Sequence, residues 1–565
     1  MMSFESYFSR KEIIKCLVSA RISESKKEEE IHFLRNISSE HEKMPELKMA
    51  DFFPSRRAWV RPSAKERKGK SSSKIYEYSL LKTVFICLEK VNKGLIIAPE
   101  WLIKLFNKVE EIQKKSCINN VYFLKKPVIF PVLKDEVNQT YRPIALYDYV
   151  DKIIISRVAK YLTDVFDSDL HNCAVAFRSS KKKTVVDNTH HGTVSRIIQY
   201  QKEYGYKKLW AAECDIKKFF DCVNHNLAIE VLNEAIARAS LNSIKVDERA
   251  INWYKAYLDS YSFNKYVKEQ EIELSKRRRK KISFEWLGEN EFYKLYPKED
   301  VSICIGVPQG GAISCLIANL IMHNVDTSVL DGERDDMLYL RYCDDMIIVH
   351  SDQSSCQKAL DRYYFALQKS KLIAHDPVNI SAYNKDFWKQ KSKAPYRWAN
   401  PLLEAGSVPW LSFVGYQLRY DGYIRIRSKS VKSEMMKQIA VVDSVIKSVK
   451  FKKKKLAFDY SHVKISRRQI VYRVTNKLIS MSVGRPQIGV KGEPQMCWSS
   501  GFKLLSNGNS FYNSIKRLDK NREKQIIRLN KALISLDVVT LHNNIKKDKI
   551  KYFGKPFSYI KSFNR

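Results

Sequence analysis

Two aspartates, Asp344 and Asp345, stand side by side between two apolar, β-prone runs in Arg341-Tyr342-Cys343-Asp344-Asp345-Met346-Ile347-Ile348-Val349. Such a pattern predicts an antiparallel hairpin with the aspartates at its tip. Adjacent carboxylates on a rigid edge repel each other, and a divalent cation relieves the repulsion. Asp-Asp alone also occurs in ordinary surface turns. A third aspartate, Asp215, closes an upstream apolar run, Leu209-Trp210-Ala211-Ala212-Glu213-Cys214-Asp215. Between these segments lies Gly306-Val307-Pro308-Gln309-Gly310-Gly311-Ala312-Ile313-Ser314, a glycine-rich turn that opens a long apolar helix from Ala312 through Val325.

The rest of the chain bounds the function class. At 565 residues, with 44% hydrophobic and 12% aromatic residues, it is long enough for two or more cored domains. Lys and Arg number 100 against 62 Asp and Glu, a net charge of +38 that points to a polyanionic partner, nucleic acid first. No apolar run reaches the roughly 20 residues of a bilayer span. Charged residues Glu5, Arg10, Lys11, Glu12 and Lys15 interrupt any signal-peptide core. The expectation is a soluble, cytoplasmic protein with no membrane partner. The 11 cysteines are scattered, without Cys-x-x-Cys pairs or histidines at zinc spacing, and read as reduced core residues. His190 and His191 are adjacent and point apart on either a helix or a strand, which disfavours a shared metal.

The order of the three aspartate and glycine segments resembles the palm of a reverse transcriptase, where three aspartates hold two Mg²⁺ ions for nucleotidyl transfer. The resemblance implies an α+β, right-hand polymerase fold (fingers, palm and thumb) with helical N- and C-terminal extensions. It implies Asp215, Asp344 and Asp345 as catalytic residues. Two Mg²⁺, with Mn²⁺ as an alternative, would be held by Asp215, Ile216, Asp344 and Asp345. Cys343 stands where many relatives carry Ala or Val and reads as packing.

Upstream, Tyr122-Phe123-Leu124 and Val128–Leu133 are β-rich, and Lys134-Asp135-Glu136-Val137-Asn138 supplies a turn before Tyr141-Arg142-Pro143-Ile144 and a helix holding Asp151 and Arg157. This is similar to the fingers of bacterial reverse transcriptases, which makes Lys134 and Arg142 candidates for gripping a triphosphate; ordinary turn charge is the alternative. Ala176-Phe177-Arg178-Ser179-Ser180 resembles the family's Gly-Phe-Arg-Pro segment, with Ala and Ser substituted. Phe220, five residues after Asp215, occupies the position where RNA-making relatives carry an Asp for the ribose 2′-hydroxyl. The resemblance makes its ring a barrier to ribonucleotides, with Phe219 packing in the core. Gln309 and Gly310 are the remaining substrate-binding candidates, since glycine lets backbone approach a base pair closely.

Three parts are expected along the chain: a helical N-terminal extension over 1–120, fingers and palm over 121–427, and a helical thumb and extension over 428–565. The first part holds a basic stretch, Arg56-Arg57-Ala58-Trp59 through Lys70, that suits phosphate contact with base stacking or a solvated loop. The long separation of Asp215 from Asp344 implies a basic insertion at about 238–300. Its block Lys276, Arg277, Arg278, Arg279, Lys280 and Lys281 is an RNA-binding candidate, or a solvated loop. Trp410–Tyr420, Asp421-Gly422 and Tyr423–Ile426 predict a hairpin over 410–427, and Phe413, Val414, Gly415 and Tyr416 are similar to the family's primer grip. A basic helix over 430–455 ends in Lys452-Lys453-Lys454-Lys455; the tail holds Tyr552–Tyr559. Val474-Thr475-Asn476 departs from the Val-Thr-Gly of retron enzymes.

The long extensions and the Tyr-Cys-Asp-Asp core look most like bacterial defence-associated reverse transcriptases, related to group II intron and retron enzymes. That resemblance implies RNA-directed DNA synthesis on a structured non-coding RNA template, with dNTPs and a DNA product as further partners, in resistance to phage. A homo-oligomer is left open. Two alternatives remain: template-independent or protein-primed DNA synthesis by the same palm, and a non-catalytic RNA-binding scaffold or intron splicing helper.

Overall fold

The computed structural model describes residues 3–38, 48–67, 72–117, 122–135, 138–179, 189–279, 281–296, 303–331, 336–380, 383–384, 386–449, 465–483 and 509–535. Lys280, Lys452–Lys455, Ser180 and Tyr552–Tyr559 of the sequence reading lie outside them.

The chain forms two compact units. The first comprises 1–12, 111–414 and 418–422. Its centre is a four-stranded antiparallel sheet in the order β5-β6-β3-β7, built from β3 (Trp210–Asp215), β5 (Leu338–Tyr342), β6 (Asp345–His350) and β7 (Lys393–Arg397). The inner strands β3 and β6 are buried almost throughout, which explains their largely apolar runs. Two buried polar knots join the sheet to its neighbours. Glu213 on β3 accepts from Tyr396 Oη at 2.6 Å and pairs with Lys393, so its charge is matched within the sheet. Arg341 on β5 donates to both carboxylate oxygens of Asp326 on the helix Ala312–Leu330, and Tyr339 Oη donates to Asp326 at 2.7 Å. That helix is apolar and long enough to cross a membrane by length and composition, yet 72% of its apolar window is buried inside the molecule. It packs against the helices Tyr149–Phe166, His225–Leu241 and Gln353–Lys369, as a core helix does.

A second sheet of the same unit has the order β1-β2-β4, with β1 Val128–Asp135, β2 Thr140–Leu146 and β4 Ser283–Phe284. The expected strand at Tyr122–Leu124 is instead irregular: Leu124 is buried, Phe123 is exposed, and no partner strand pairs with them among the described residues. The segment expected as an insertion is continuous with this sheet. Strand β4 pairs in parallel with β2, and Tyr261, Phe263, Val267, Ile282 and Phe284 share a core with Ile129 and Tyr141. The six-residue basic block is only partly loop. Lys276–Arg278 form the last turn of the helix Lys268–Arg278, where cations complement the helix dipole, and Arg279 caps it with a left-handed backbone at φ 49°.

The second unit comprises 13–110, 415–417 and 423–565. The expected three-part linear division is therefore corrected: N-terminal helices and C-terminal helices share one core. Phe33 and Ile37 of the first region pack with Val442, Val449, Val474 and Leu529 of the last. Its main helices are Arg10–Arg35 (which begins within the first unit), Ser72–Asn92, Glu100–Cys117 (which ends within it), Ser428–Val449, Arg467–Val483 and Asn509–Ser535. Trp59 is buried and its Nε1 donates to the Pro54 carbonyl at 3.0 Å, so it is a packing residue and not a stacking surface for bases. Residues 410–426 form a short meander of β8 (Trp410–Phe413), β9 (Tyr416–Arg419) and β10 (Ile424–Ile426). The expected single strand from Trp410 to Tyr420 is thus broken. Val414 (φ 42°) and Gly415 (φ 86°) are both left-handed, the backbone a tight two-residue hairpin turn requires.

Candidate active site

The palm sheet sets the three aspartates by register. Strands β3 and β6 are antiparallel with Asp215 opposite Asp345, and β5 and β6 pair Tyr342 with Asp345. Cys343 and Asp344 are therefore the two residues of the turn, and Cys343 takes a left-handed φ of 62°. Cys343 is buried, and burial pushes its thiol up, which makes it packing and not a nucleophile. The buried Arg341–Asp326 pair anchors this hairpin from behind.

Burial, together with the nearby charge of Asp215, holds the Asp344 carboxyl above the usual carboxylate range. Asp345 is exposed and Asp215 partly so. Asp215 Oδ2 lies 3.0 Å from Lys391 Nζ and 3.7 Å from His375 Nε2. Burial, then Lys391, push the His375 imidazole down, so it favours the neutral form. In this conformation no three metal-ligating side chains already converge on one point among the described residues. The backbone brings the carboxylates onto one edge, while Asp215 is turned to a lysine. The donor set is all oxygen, the kind Mg²⁺ takes. Ile216 has only its backbone carbonyl to offer; it is buried and bridges to Ala374.

A second polar cluster joins β1 to the segment that follows Asp215. Lys134 occupies a register shift between Leu133 and Asp135, and a bulge of this kind re-aims a side chain. Its ammonium is bound to Glu285 at 2.7 Å, and Glu285 also holds Lys218 at 2.6 Å. Those two lysines pull the Glu285 carboxyl down to about 2. Burial pulls Lys134 down, but Glu285 outweighs it and holds the ammonium above its ordinary value. Lys134 is thus already partnered, whereas Arg142, opposite Val132, is exposed. Phe219 is 2% exposed and Phe220 partly exposed, so the first ring packs in the core and the second faces outward.

Gln309 donates through Nε2 to both oxygens of Asp221, at 2.9 and 2.8 Å. Gly310 follows with φ 78° and nothing within 4 Å of where a Cβ would sit, an open surface that only glycine adopts without strain. Arg178 is partly buried and donates to the Asp167 carboxylate and to the carbonyls of Asp167, Leu170, His171 and Ala174; it is a structural knot. Lys276–Arg279 and Lys281 are exposed, and Arg278 lies over the Phe130 ring at 5.2 Å. Sequence reasoning missed Asp221, Glu285, His375 and Lys391 as members of the site. Asp221 alone carried a signal, standing next to Phe220.

Residues 124–376 match the family model described as reverse transcriptase (RNA-dependent DNA polymerase). Over 224 residues the chain is 22% identical to the group II intron-encoded protein LtrA of Lactococcus lactis subsp. cremoris, covering 39% of this chain and 28% of that protein. The chain thus spans little more than a quarter of that relative's length. Two solved telomerases are similar at low level. The Candida albicans telomerase with a fragment of telomeric RNA gives TM-score 0.32 and 13% identity, covering 79% of this chain and 70% of that one. The apo telomerase of Candida tropicalis gives TM-score 0.36 and 12% identity, covering 76% and 68%. Residues 124–376 are thus similar to the reverse transcriptase domain of group II intron proteins, and strands β3, β5 and β6 with the aspartate edge lie within them, while β7 lies beyond.

Proposed function

We propose that this reverse transcriptase domain is an RNA-directed DNA polymerase, adding deoxynucleotides to a primer 3′-hydroxyl opposite an RNA template. The observation that carries the reading is the register that sets Asp215 opposite Asp345 with Asp344 in the adjoining turn. Asp215, Asp344, Asp345 and the Ile216 carbonyl would hold two Mg²⁺ ions, which when bound lower the barrier to attack on the α-phosphate by stabilising charge on the attacking and leaving oxygens. Lys391 gives up Asp215 when that carboxylate takes a metal. Arg142 and Lys134 bind the triphosphate, Lys134 leaving Glu285 for the stronger charge of a phosphate. Phe220 excludes a 2′-hydroxyl, and open Gly310 lets the nascent pair approach the backbone. Phe413, Val414, Gly415 and Tyr416 position the primer end.

At a finer level, the template is a dedicated structured RNA and the setting is phage defence in the cytoplasm. Support comes from the +38 charge and the resemblance of the extensions and Tyr-Cys-Asp-Asp core to defence-associated enzymes. Purified protein incubated with primed RNA, dNTPs and Mg²⁺ tests the activity. Sequencing of copurifying nucleic acid identifies the template, and phage plating on cells carrying wild type or an Asp344→Ala/Asp345→Ala variant tests the defence role. A wild type that binds RNA but extends no primer would favour the scaffold alternative.

A further inference from the structure

Asp221 lies one residue beyond Phe220 on the short helix Phe219–Cys222 and is 3% exposed. Its backbone is stitched to the segment that carries Gln309. Val307 N donates to the Phe220 carbonyl at 2.8 Å and Gly306 N to the Val223 carbonyl at 2.7 Å. Trp286 Nε1 donates to the Asp221 carbonyl at 3.0 Å. The side chains close the same junction, with both Asp221 oxygens receiving Gln309 Nε2.

The chemistry of this contact has a direction. An ionised carboxylate only accepts hydrogen bonds, so the Gln309 amide must turn its NH₂ inward. Its Oε1 makes no hydrogen bond among the described residues and is left as an acceptor. A glutamine without this partner rotates its amide and offers donor or acceptor indifferently. A buried carboxylate that served packing alone would be replaced at lower cost by an apolar side chain. Lys218, Lys134 and Arg142 supply the compensating positive field, while Tyr261 and Cys222 are the other titratable groups whose electrostatics register Asp221.

We propose that Asp221 is a positioning residue for nucleotide selection: it fixes Gln309 with its carbonyl oxygen toward a hydrogen-bond donor on the incoming deoxynucleotide, and ties that glutamine to the Phe220 segment. The inference rests on the polymerase reading. Asp221 touches no substrate and acts through Gln309. Burial pushes its carboxyl up to about 6, against the opposing pull of Gln309 and the three cations. At neutral pH it is ionised and the amide is locked; below about 6 it gains a proton, becomes a donor as well, and the lock opens.

The test is steady-state dNTP incorporation by the full chain on a primed RNA, for wild type, Asp221→Asn, Gln309→Leu and the double variant, with melting curves for each. Asn keeps the shape and either amide orientation can pair with it. Asp221→Asn is expected to raise KM for dNTP about tenfold while kcat changes by less than about twofold. The double variant should be no worse than Gln309→Leu, because one residue acts through the other. Wild-type KM should rise as pH falls through about 6 and stay flat there in Asp221→Asn. Effects that multiply in the double variant, or an unchanged KM in Asp221→Asn, would overturn the proposal. If Asp221→Asn melts early, a wild-type KM that stays flat down to about pH 5 overturns it alone. A wild type that incorporates no dNTP at all defeats the polymerase reading, and this inference with it.

Discussion

At the residue scale, the paired phenylalanines separate packing from selection. Phe219 is buried and Phe220 partly exposed. Phe219→Ala should cost roughly 3–5 kcal/mol through the cavity it leaves. Phe220→Ala should instead raise ribonucleotide relative to deoxyribonucleotide incorporation, measured side by side with rNTPs and dNTPs. An unchanged ratio would place the barrier elsewhere. Asp221 yields a second residue-level prediction. Its folded-state carboxyl is raised to about 6, so the folded protein binds the proton more tightly than the unfolded chain. Its stabilising protonation is present at low pH and is lost as pH rises from the usual carboxylate range through about 6. Asp221→Asn should therefore gain stability over wild type across that window, on the order of 2–3 kcal/mol by neutral pH. Urea denaturation at several pH values checks this, and a gain that is flat with pH would contradict it.

At the element scale, the palm strands were legible because their signals are local. The run from Leu209 to Asp215, the Asp344-Asp345 break and the glycines before Ala312 each announce an element by composition and periodicity. The meander was half legible. Asp421-Gly422 marked one turn, but Val414-Gly415 did not look like a turn, because a β-branched residue at positive φ is disfavoured and nothing local favours it. Members of the polar cluster were illegible for a different reason. Glu285, His375 and Lys391 reach the site only through long-range packing, which no local pattern records. The same holds for Asp326, the buried partner of Arg341. Arg341→Met should cost roughly 3–5 kcal/mol, because it leaves the buried Asp326 charge without its cation. Arg341→Met combined with Asp326→Leu should recover much of that loss in chemical denaturation. A single variant within about 1 kcal/mol of wild type would show the pair does not anchor the hairpin.

At the scale of the whole molecule, charge and connectivity dominate. The union of the N- and C-terminal helices in one core was invisible to a linear reading, since Phe33 and Leu529 each look like ordinary amphipathic positions until they meet. The +38 charge was legible at once, and it makes a prediction about RNA. Substituting Lys276, Arg277, Arg278, Arg279, Lys280 and Lys281 with Gln should weaken RNA binding without sequence preference and flatten its salt dependence, while extension of a short primer–template survives. Unchanged affinity and salt slope would make the block a solvated helix end. The central claim is that Asp215, Asp344 and Asp345 form one metal-dependent polymerase site. Primer extension on an RNA template with dNTPs and Mg²⁺, comparing wild type with Asp344→Ala/Asp345→Ala, tests it most directly. Wild type should make DNA, and the double variant should lose about a hundredfold or more of that activity while melting no earlier, because removing repelling carboxylates does not weaken the fold. Near-normal synthesis by a folded double variant would contradict the account.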